Sequence, residues 1–300
     1  MMLLMTISVT SCKDDASIST QPITREAKTL LDVPYGTGSQ QEVDVYLPAN
    51  RSSNTSVIIF VHGGAFISGD KVDFNSFVNE LVRANFAVVN ANYLHVDPTG
   101  INSIPPQHIE SAVKVKDQVT AMSVIVDLVH SKAKEWNVSR TKIGMAGHGS
   151  GASLALLYSY DARNINKVKA VVNIAGALDQ TFMDIPSYHL LYPRYLELGY
   201  RYTGYEVGPA TDVYFRAISP LYVANANKKV PTLTIFPELN ELHGFPKQDR
   251  ATFDAFTTKL NSLGVPNKFV QIAGADNLLS KPGNVDAVLK ETTDYFNLNL

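Results

Sequence analysis

Apolar and polar positions along the chain follow two periods, one typical of strands and one typical of helices. Residues 42–47 alternate as a half-buried strand does, and residues 57–61 form an unbroken apolar run that suits a fully buried parallel strand. Buried strands are also predicted at residues 86–93, 142–146, 169–175, 231–237 and 267–272. Helical periodicity fills the intervals, at residues 73–84, 118–136, 150–160, 249–263 and 285–296.

Strands that alternate with helices predict an α/β fold with a doubly wound, mostly parallel sheet. In such a sheet the ligand cleft lies outside the carboxyl ends of the strands. We therefore expect the residues that directly follow the strands to carry any chemistry.

Residues 177–229 break this rhythm, because they contain no strong strand pattern. Eight of the fourteen tyrosines of the chain fall between Tyr188 and Tyr222. An excursion of this kind is expected to form a cap over the cleft. The tyrosines either line the ligand site as an aromatic wall or pack within a small cap core, and the sequence leaves both interpretations open.

Composition and charge narrow the class of protein. Three hundred residues with a net charge of −2 and 45% hydrophobic residues fit one large domain, which we place at residues 29–300. No basic cluster indicates a nucleic-acid partner, and nothing beyond the first residues is apolar enough to span a bilayer. We expect no cofactor and no metal.

The sole cysteine, Cys12, follows a short apolar stretch and resembles the lipidated cysteine of a bacterial lipoprotein signal. Residues 1–12 would then be the signal and residues 13–28 a flexible tether. This predicts export and a lipid anchor at the outer membrane or cell surface of a Gram-negative bacterium. No Lys or Arg precedes Cys12, so the alternative is an ordinary N-terminus with an incidental cysteine.

A glycine-rich motif at residues 147–151, GHGSG, lies between a predicted strand and a predicted helix. This is the position of the G-x-S-x-G nucleophile elbow, but Gly149 occupies the place of the nucleophile. The turn is so sharp that the residues two before and two after its centre must be very small. Gly147 and Gly151 meet that requirement only if Gly149 is the centre, and glycine tolerates the strained backbone there.

A second motif, HGGAFISGDK at residues 62–71, follows the strand at residues 57–61. Acyl transfer develops negative charge on a carbonyl oxygen, and glycines let backbone N–H donors approach it. Gly63, Gly64 and Ala65, together with the N–H of Ser150, are the candidate oxyanion donors. His62 is interpreted as a structural residue that fixes the loop.

These motifs, with NANY at residues 90–93 and SPL at residues 219–221, resemble the esterase and lipase branch of the α/β-hydrolases. That branch includes hormone-sensitive-lipase-like enzymes, kynurenine formamidases and feruloyl and acetyl-xylan esterases. The resemblance covers about residues 42–300 and implies an α/β-hydrolase fold with a triad of nucleophile, acid and histidine in that chain order.

The resemblance also locates the other two triad positions, and neither holds the expected residue. Asn240 stands where the family has the aspartate, after the strand at residues 231–237, and Asn277 stands where it has the histidine. An asparagine can neither stabilise an imidazolium by charge nor act as a base near neutral pH. Serine, aspartate and histidine are therefore replaced by Gly149, Asn240 and Asn277.

Two hypotheses would still give the site catalytic chemistry, a displaced nucleophile and a metal ion. Ser150 could be a displaced nucleophile, or it could cap the first turn of its helix. The candidate partners of such a nucleophile are the bases His148 and His243 and the acids Glu238, Glu241 and Asp276. A metal site would need His62, His148, His243, Asp276 and Glu238 to converge, and no ligand spacing supports this.

The sequence thus predicts a pseudo-esterase that binds a small-molecule ligand, an ester, a glycan or an aromatic acid, or else a protein partner. Membrane contact is expected only through the lipid anchor. The rivals are an active carboxylesterase or carbohydrate esterase that uses Ser150, and a scaffold subunit whose cleft is vestigial.

Overall fold

An eight-stranded sheet runs through the centre of the protein. The computed structural model describes residues 25–182, 193–240, 249–281 and 283–300. The strands are β1 (Lys28–Pro34), β2 (Glu42–Leu47), β3 (Val57–Val61), β4 (Ala87–Ala91), β5 (Ile143–His148), β6 (Val168–Ile174), β7 (Thr232–Leu239) and β8 (Asn267–Asp276). Their order is β1-β2-β4-β3-β5-β6-β7-β8, and only the pairs β1–β2 and β2–β4 are antiparallel.

Helices cover both faces of this sheet. They are α1 (Asn75–Arg83), α2 (Val115–Trp136), α3 (Ser150–Tyr160), α4 (Pro193–Thr203), α5 (Asp212–Arg216), α6 (Pro220–Val223), α7 (Arg250–Ser262) and α8 (Asn284–Asn299). Successive residues of β3 point to opposite faces: Ile58 and Phe60 join one apolar cluster, and Val57, Ile59 and Val61 join the other. An unbroken apolar strand is what two covered faces require.

The architecture confirms the predicted α/β-hydrolase fold and most of its elements. The predicted helix at residues 150–160 coincides with α3, all of whose residues are buried, and the predicted strand at residues 57–61 coincides with β3. The other predicted strands and helices agree with the observed ones to within a few residues at each end.

Edge strand β1 was not predicted. Most of its side chains are exposed, so it carries no buried apolar signature, and its pairing with β2 shifts register between Leu30 and Val33. The cap helices α4, α5 and α6 were also not predicted individually, and two of them are only five and four residues long.

Several sequence-based predictions concern residues outside the described ranges. These are the Cys12 signal, most of the tether, His243 and Glu241, and the cap tyrosines Tyr188 and Tyr192. Among the described residues, none of the helices is long and apolar enough to span a membrane.

Candidate functional site

The turn between β5 and α3 has the strained backbone of an elbow at Gly149. Its φ of 53° and ψ of −123° are unfavourable for any residue with a side chain. The carbonyl of Gly149 accepts the N–H groups of Ala152 and Ser153, so the turn leads directly into the helix.

The three glycines of the elbow have different surroundings. A Cβ atom on Gly147 would lie 2.5 Å from the carbonyl carbon of Gly151, and one on Gly151 would overlap the carbonyl oxygens of Val61 and His62. A Cβ atom on Gly149 would meet only the Cα of Gly63, at 3.8 Å. The turn is therefore centred on Gly149, where the structure has room for a side chain.

Hydrogen bonds to the carbonyl groups of Gly63 and Gly64 fix the backbone of the loop after β3. His62 donates from Nδ1 to the carbonyl of Gly63 at 2.6 Å, and Ile67 and Ser68 donate their N–H groups to the carbonyl of Gly64. Because a trans peptide points its C=O and N–H in opposite directions, these bonds fix the directions of the Gly64 and Ala65 N–H groups. Gly64 has a φ of 123°, and a Cβ there would overlap the carbonyl of Ser68.

Partners from three elements hold this loop in place. The buried hydroxyl of Tyr202 on α4 donates to the carbonyl of Ala65 at 2.8 Å. Gln118 on α2 donates to the carbonyl of Phe66, also at 2.8 Å. Asn92, after β4, accepts the N–H of Lys71 at 2.6 Å and donates to the carboxylate of Asp70. The NANY motif thus supports the far end of the loop.

Backbone donors remain available at the site. The hydrogen bonds formed among the described residues do not engage the N–H groups of Gly64, Ala65 or Ser150. Gly63 and Gly149 lie side by side, so the loop and the elbow face each other. Donors from a loop and from a helix start that converge in this way can bind a carbonyl or oxyanion oxygen.

Asn277, after β8, and Asn240, after β7, are joined by a hydrogen bond at the same edge of the sheet. Asn277 Nδ2 donates to Asn240 Oδ1 at 2.6 Å, and both residues are buried. His148 Nε2 donates to the backbone carbonyl of Asn277 at 2.6 Å, which ties the loop after β8 to the elbow. The structure therefore brings together the three positions that the sequence assigned to the triad.

A cavity of about 490 Å³ is lined by residues of the loop, of the elbow and of the segment after β8. Its described lining includes Gly64, Gly149, Ser150 and Asn277 beside apolar side chains. Asp73 is the one carboxylate of that described lining, which contains no Lys or Arg. The cavity is large enough for a small ligand and offers hydrogen-bond donors at one end.

Two histidines at the site are kept uncharged. Burial lowers the pKa of His62 to about 4, although its hydrogen bond to Gly63 acts in the opposite direction. Burial likewise lowers the pKa of His148. His62 also stacks on Tyr93 with ring centroids 4.4 Å apart, which agrees with its interpretation as a structural residue.

Ser150 does not cap its helix, contrary to one sequence-based hypothesis, because its hydroxyl is engaged elsewhere. Ser150 Oγ lies 3.2 Å from the hydroxyl of Tyr93, and burial raises the pKa of Tyr93, so this phenol remains protonated near neutral pH. The pattern of residues along the chain does not predict this contact. No imidazole or carboxylate of the described residues forms a hydrogen bond with Ser150 Oγ.

The other candidate partners of Ser150 are engaged at turns or lie outside the described residues. The carboxylate of Glu238 accepts from Gln271 and from the N–H of Gly274, and that of Asp276 accepts the N–H of Ser280. His243 and Glu241 are in the undescribed range. Within the part of the chain that the structure describes, no group of three His, Cys, Asp or Glu could hold a metal ion.

The described cap tyrosines do not form a continuous wall of the cleft. Tyr202 lines the main cavity, whereas Tyr205 and Tyr214 stack on each other at the surface and Tyr200 stacks on His108. Periodicity could not single out Tyr202, since its role depends on the contact with Ala65 across a long sequence separation.

Comparison with known proteins places this site in a wider context. The BD-FAE family model matches residues 43–190, which include the loop and the elbow but neither Asn240 nor Asn277. The kynurenine formamidase of Danio rerio is 28% identical over 160 residues, which are 51% of this chain and 47% of that protein. The chain thus matches about half the length of this relative.

Solved esterase structures share the fold. A truncated carbohydrate esterase from gut microbiota superposes with a TM-score of 0.71 at 18% identity, over 90% of this chain and 95% of that one. A bacterial heroin esterase superposes with a TM-score of 0.68 at 18% identity, over 94% and 86% of the two chains. The solved structures show that the chain has the α/β-hydrolase fold, and the BD-FAE model and the formamidase support an esterase-like family of α/β-hydrolases.

Proposed function

We propose that this protein is a catalytically impaired esterase that binds a ligand in its cleft. The observation that carries the proposal is the open position at Gly149 beside the Asn277–Asn240 pair. The bond from Asn277 Nδ2 to Asn240 Oδ1 has the polarity of the histidine-to-aspartate bond of a triad. Neither amide takes up a proton near neutral pH, and Gly149 offers no hydroxyl, so binding can persist where acyl transfer cannot.

The groups that line the cavity favour a ligand with an uncharged carbonyl group over a ligand with a free carboxylate. The N–H groups of Gly64 and Ser150 suit a carbonyl oxygen, whereas Asp73 disfavours a second carboxylate and no cation of the described lining offsets it. An acyl ester or a glycan-like compound therefore fits better than an aromatic acid. Among the similar proteins, the carbohydrate esterase is named for an ester of a carbohydrate, which agrees with this choice.

The alternative, an active esterase with Ser150 as nucleophile, has less support from the geometry. Ser150 is only 5% exposed and contacts a tyrosine that stays protonated. His148 donates from Nε2 to a carbonyl, and this fixes its ring away from the role of base to Ser150 through that atom. A protein partner or a vestigial cleft remains an outcome of the test below.

We also propose that Cys12 carries a lipid and anchors the protein at the outside of the cell. The support is the residue order in the chain, an apolar stretch followed by Val9, Thr10, Ser11 and Cys12.

Thermal-shift and calorimetric titration with short acyl esters and acetylated oligosaccharides tests ligand binding. We expect at least one of these compounds to stabilise the wild type. The cavity-filling variant Ala177→Leu should lose that stabilisation, because Ala177 lines the cavity. Ala162→Leu, the same substitution at an exposed position, is the matched control. If no compound binds, or if Ala177→Leu binds as well as the control, the cleft is vestigial.

A further inference from the structure

A second cavity, of about 290 Å³, lies on the other side of Tyr202 from the cleft. It is formed where α2 and α3 meet the cap helices α4 and α5. Tyr202 lines both cavities, so the two spaces are separated by one buried side chain. This cavity has no part in the proposed ester site, since none of the triad positions or loop donors lines it.

The floor and one wall of this second cavity are apolar. Val119, Leu157 and Ile218 are buried beneath it. On one wall Tyr205 and Tyr214 stack with ring centroids 3.5 Å apart and planes 2° apart, yet each ring is about two-fifths exposed. A flat aromatic surface that remains open to solvent beside an apolar floor can pack against the flat body of a ligand.

Basic side chains also line this cavity. Lys114, Lys116 and Arg163 line the cavity, and Asp161 is the one carboxylate of its described lining. Arg163 pairs with Asp161 through two hydrogen bonds of 2.8 and 2.9 Å, which neutralises that carboxylate. Lys114 Nζ donates to the carboxylate of Glu110 at 3.3 Å and to the carbonyl of Ser111, so this ammonium already has partners. Lys116 forms no ion pair with any described residue, so an excess of positive charge faces the cavity.

We infer that this second cavity binds a small organic anion with a flat apolar body, such as an aryl carboxylate or sulfonate. The apolar floor and the tyrosine pair would bind the flat body of the ligand, and Lys116 would face its charged group. A neutral compound of the same shape would lose the charge contribution, and a cation would be repelled. The ligand preference is thus opposite to that of the cleft, whose described lining contains Asp73 and no Lys or Arg.

Fluorescence titration with 8-anilinonaphthalene-1-sulfonate tests this inference. N-phenyl-1-naphthylamine has the same aromatic body without the sulfonate and is the chemical control. We expect the sulfonate to bind more tightly than the amine, and its Kd to rise when salt is added. Lys116→Glu should weaken sulfonate binding about threefold or more, because a favourable charge becomes an unfavourable one. Tyr214→Ala should weaken binding of both probes.

Two further variants show whether the sulfonate binds in this second cavity or in the cleft. Lys134→Glu is a matched charge reversal at an exposed position of the same helix, and it should leave the Kd unchanged. Ala177→Leu alters the cleft and should also leave it unchanged. The inference is wrong if the sulfonate does not bind, if Lys116→Glu and Tyr214→Ala bind it as the wild type does, or if Ala177→Leu removes the binding. Equal thermal unfolding midpoints verify that the surface variants fold.

Discussion

At the scale of single residues, the glycines of the elbow are required for two different physical reasons. Gly147 and Gly151 lie where neighbouring backbone leaves no room for a Cβ atom. Gly149 lies in open space, and only its backbone conformation favours glycine. The sequence predicted the centre of this turn correctly, because the spacing of small residues reflects the packing directly.

Alanine substitutions at these positions should separate the two causes. We expect Gly149→Ala to lower the free energy of unfolding by about 1 to 2 kcal/mol, the cost of this strained positive-φ conformation for a residue with a side chain. Gly147→Ala should cost about 3 kcal/mol or more, since it forces two backbone segments apart. Urea unfolding measures both. Similar losses for the two variants would contradict this account of the turn.

The buried histidine of the loop should make stability depend on pH. Because burial lowers the pKa of His62 to about 4, the folded protein keeps this ring neutral where the unfolded chain protonates it. The resulting stability is fully present above the ordinary histidine pKa of 6.5 and is lost as the pH falls from there through about 4. The full effect is up to about 3 kcal/mol.

Unfolding measured at a series of pH values tests this prediction. The wild type should become progressively less stable on acidification through that window. In His62→Gln, which cannot titrate, the slope over the same window should be smaller. An unchanged slope would mean that His62 does not contribute to it.

At the scale of elements, a buried lysine connects the end of the loop to the antiparallel edge of the sheet. Lys71 is 3% exposed and forms ion pairs with Asp32 on β1 and with Glu42 and Asp44 on β2. Burial alone would lower the pKa of Lys71, but hydrogen bonds to the three carboxylates raise it overall. The edge strand β1 and its neighbour β2 thus stabilise the loop although they lie outside the cleft.

Removal of that lysine should destabilise the fold. In Lys71→Met the carboxylate of Asp44, itself 3% exposed, loses its cation, and we expect a loss of about 3 kcal/mol. Lys134→Met, at an exposed position of α2, should have little effect. A Lys71→Met variant as stable as this control would show that the cluster does not hold the loop.

The elements differ in how far the sequence could predict them. Buried strands such as β3 and the wholly buried α3 carry an apolar signal in their own residues, so their positions were predicted. Strand β1 has no buried side chain, and the short cap helices α5 and α6 have one buried residue each, so their own residues give no such signal.

The features of the site also differ in how far the sequence could predict them. Gly149, Asn240 and Asn277 could be placed because each follows a strand whose end is fixed by the sheet. The contacts from Tyr93 to Ser150, from His148 to Asn277 and from Tyr202 to Ala65 join residues 57, 129 and 137 positions apart. Such contacts depend on side-chain packing, which sequence spacing does not determine.

At the scale of the whole molecule, the lipid proposed at Cys12 would hold the protein at a membrane. If Cys12 is lipidated, the native protein should be found in the membrane fraction, and Cys12→Ala should release it into the soluble fraction. Fractionation followed by detection with an antibody checks this. Equal soluble amounts of both proteins would show that Cys12 is not an anchor.

The central claim is that the cleft binds but does not hydrolyse, and one kinetic comparison tests it most directly. Hydrolysis of a short p-nitrophenyl ester is measured for the wild type, for Ser150→Ala and for the triple variant Gly149→Ser, Asn240→Asp, Asn277→His. Oxyanion donors alone leave at most about 10³ to 10⁴-fold acceleration over water in a serine hydrolase without its triad.

We predict that the wild type and Ser150→Ala do not exceed that level. We also predict that the triple variant, whose new serine has room at position 149 and whose acid and histidine replace the bonded amide pair, hydrolyses the ester at least about tenfold faster. Turnover by the wild type at the rate of an ordinary esterase, abolished by Ser150→Ala, would contradict the claim.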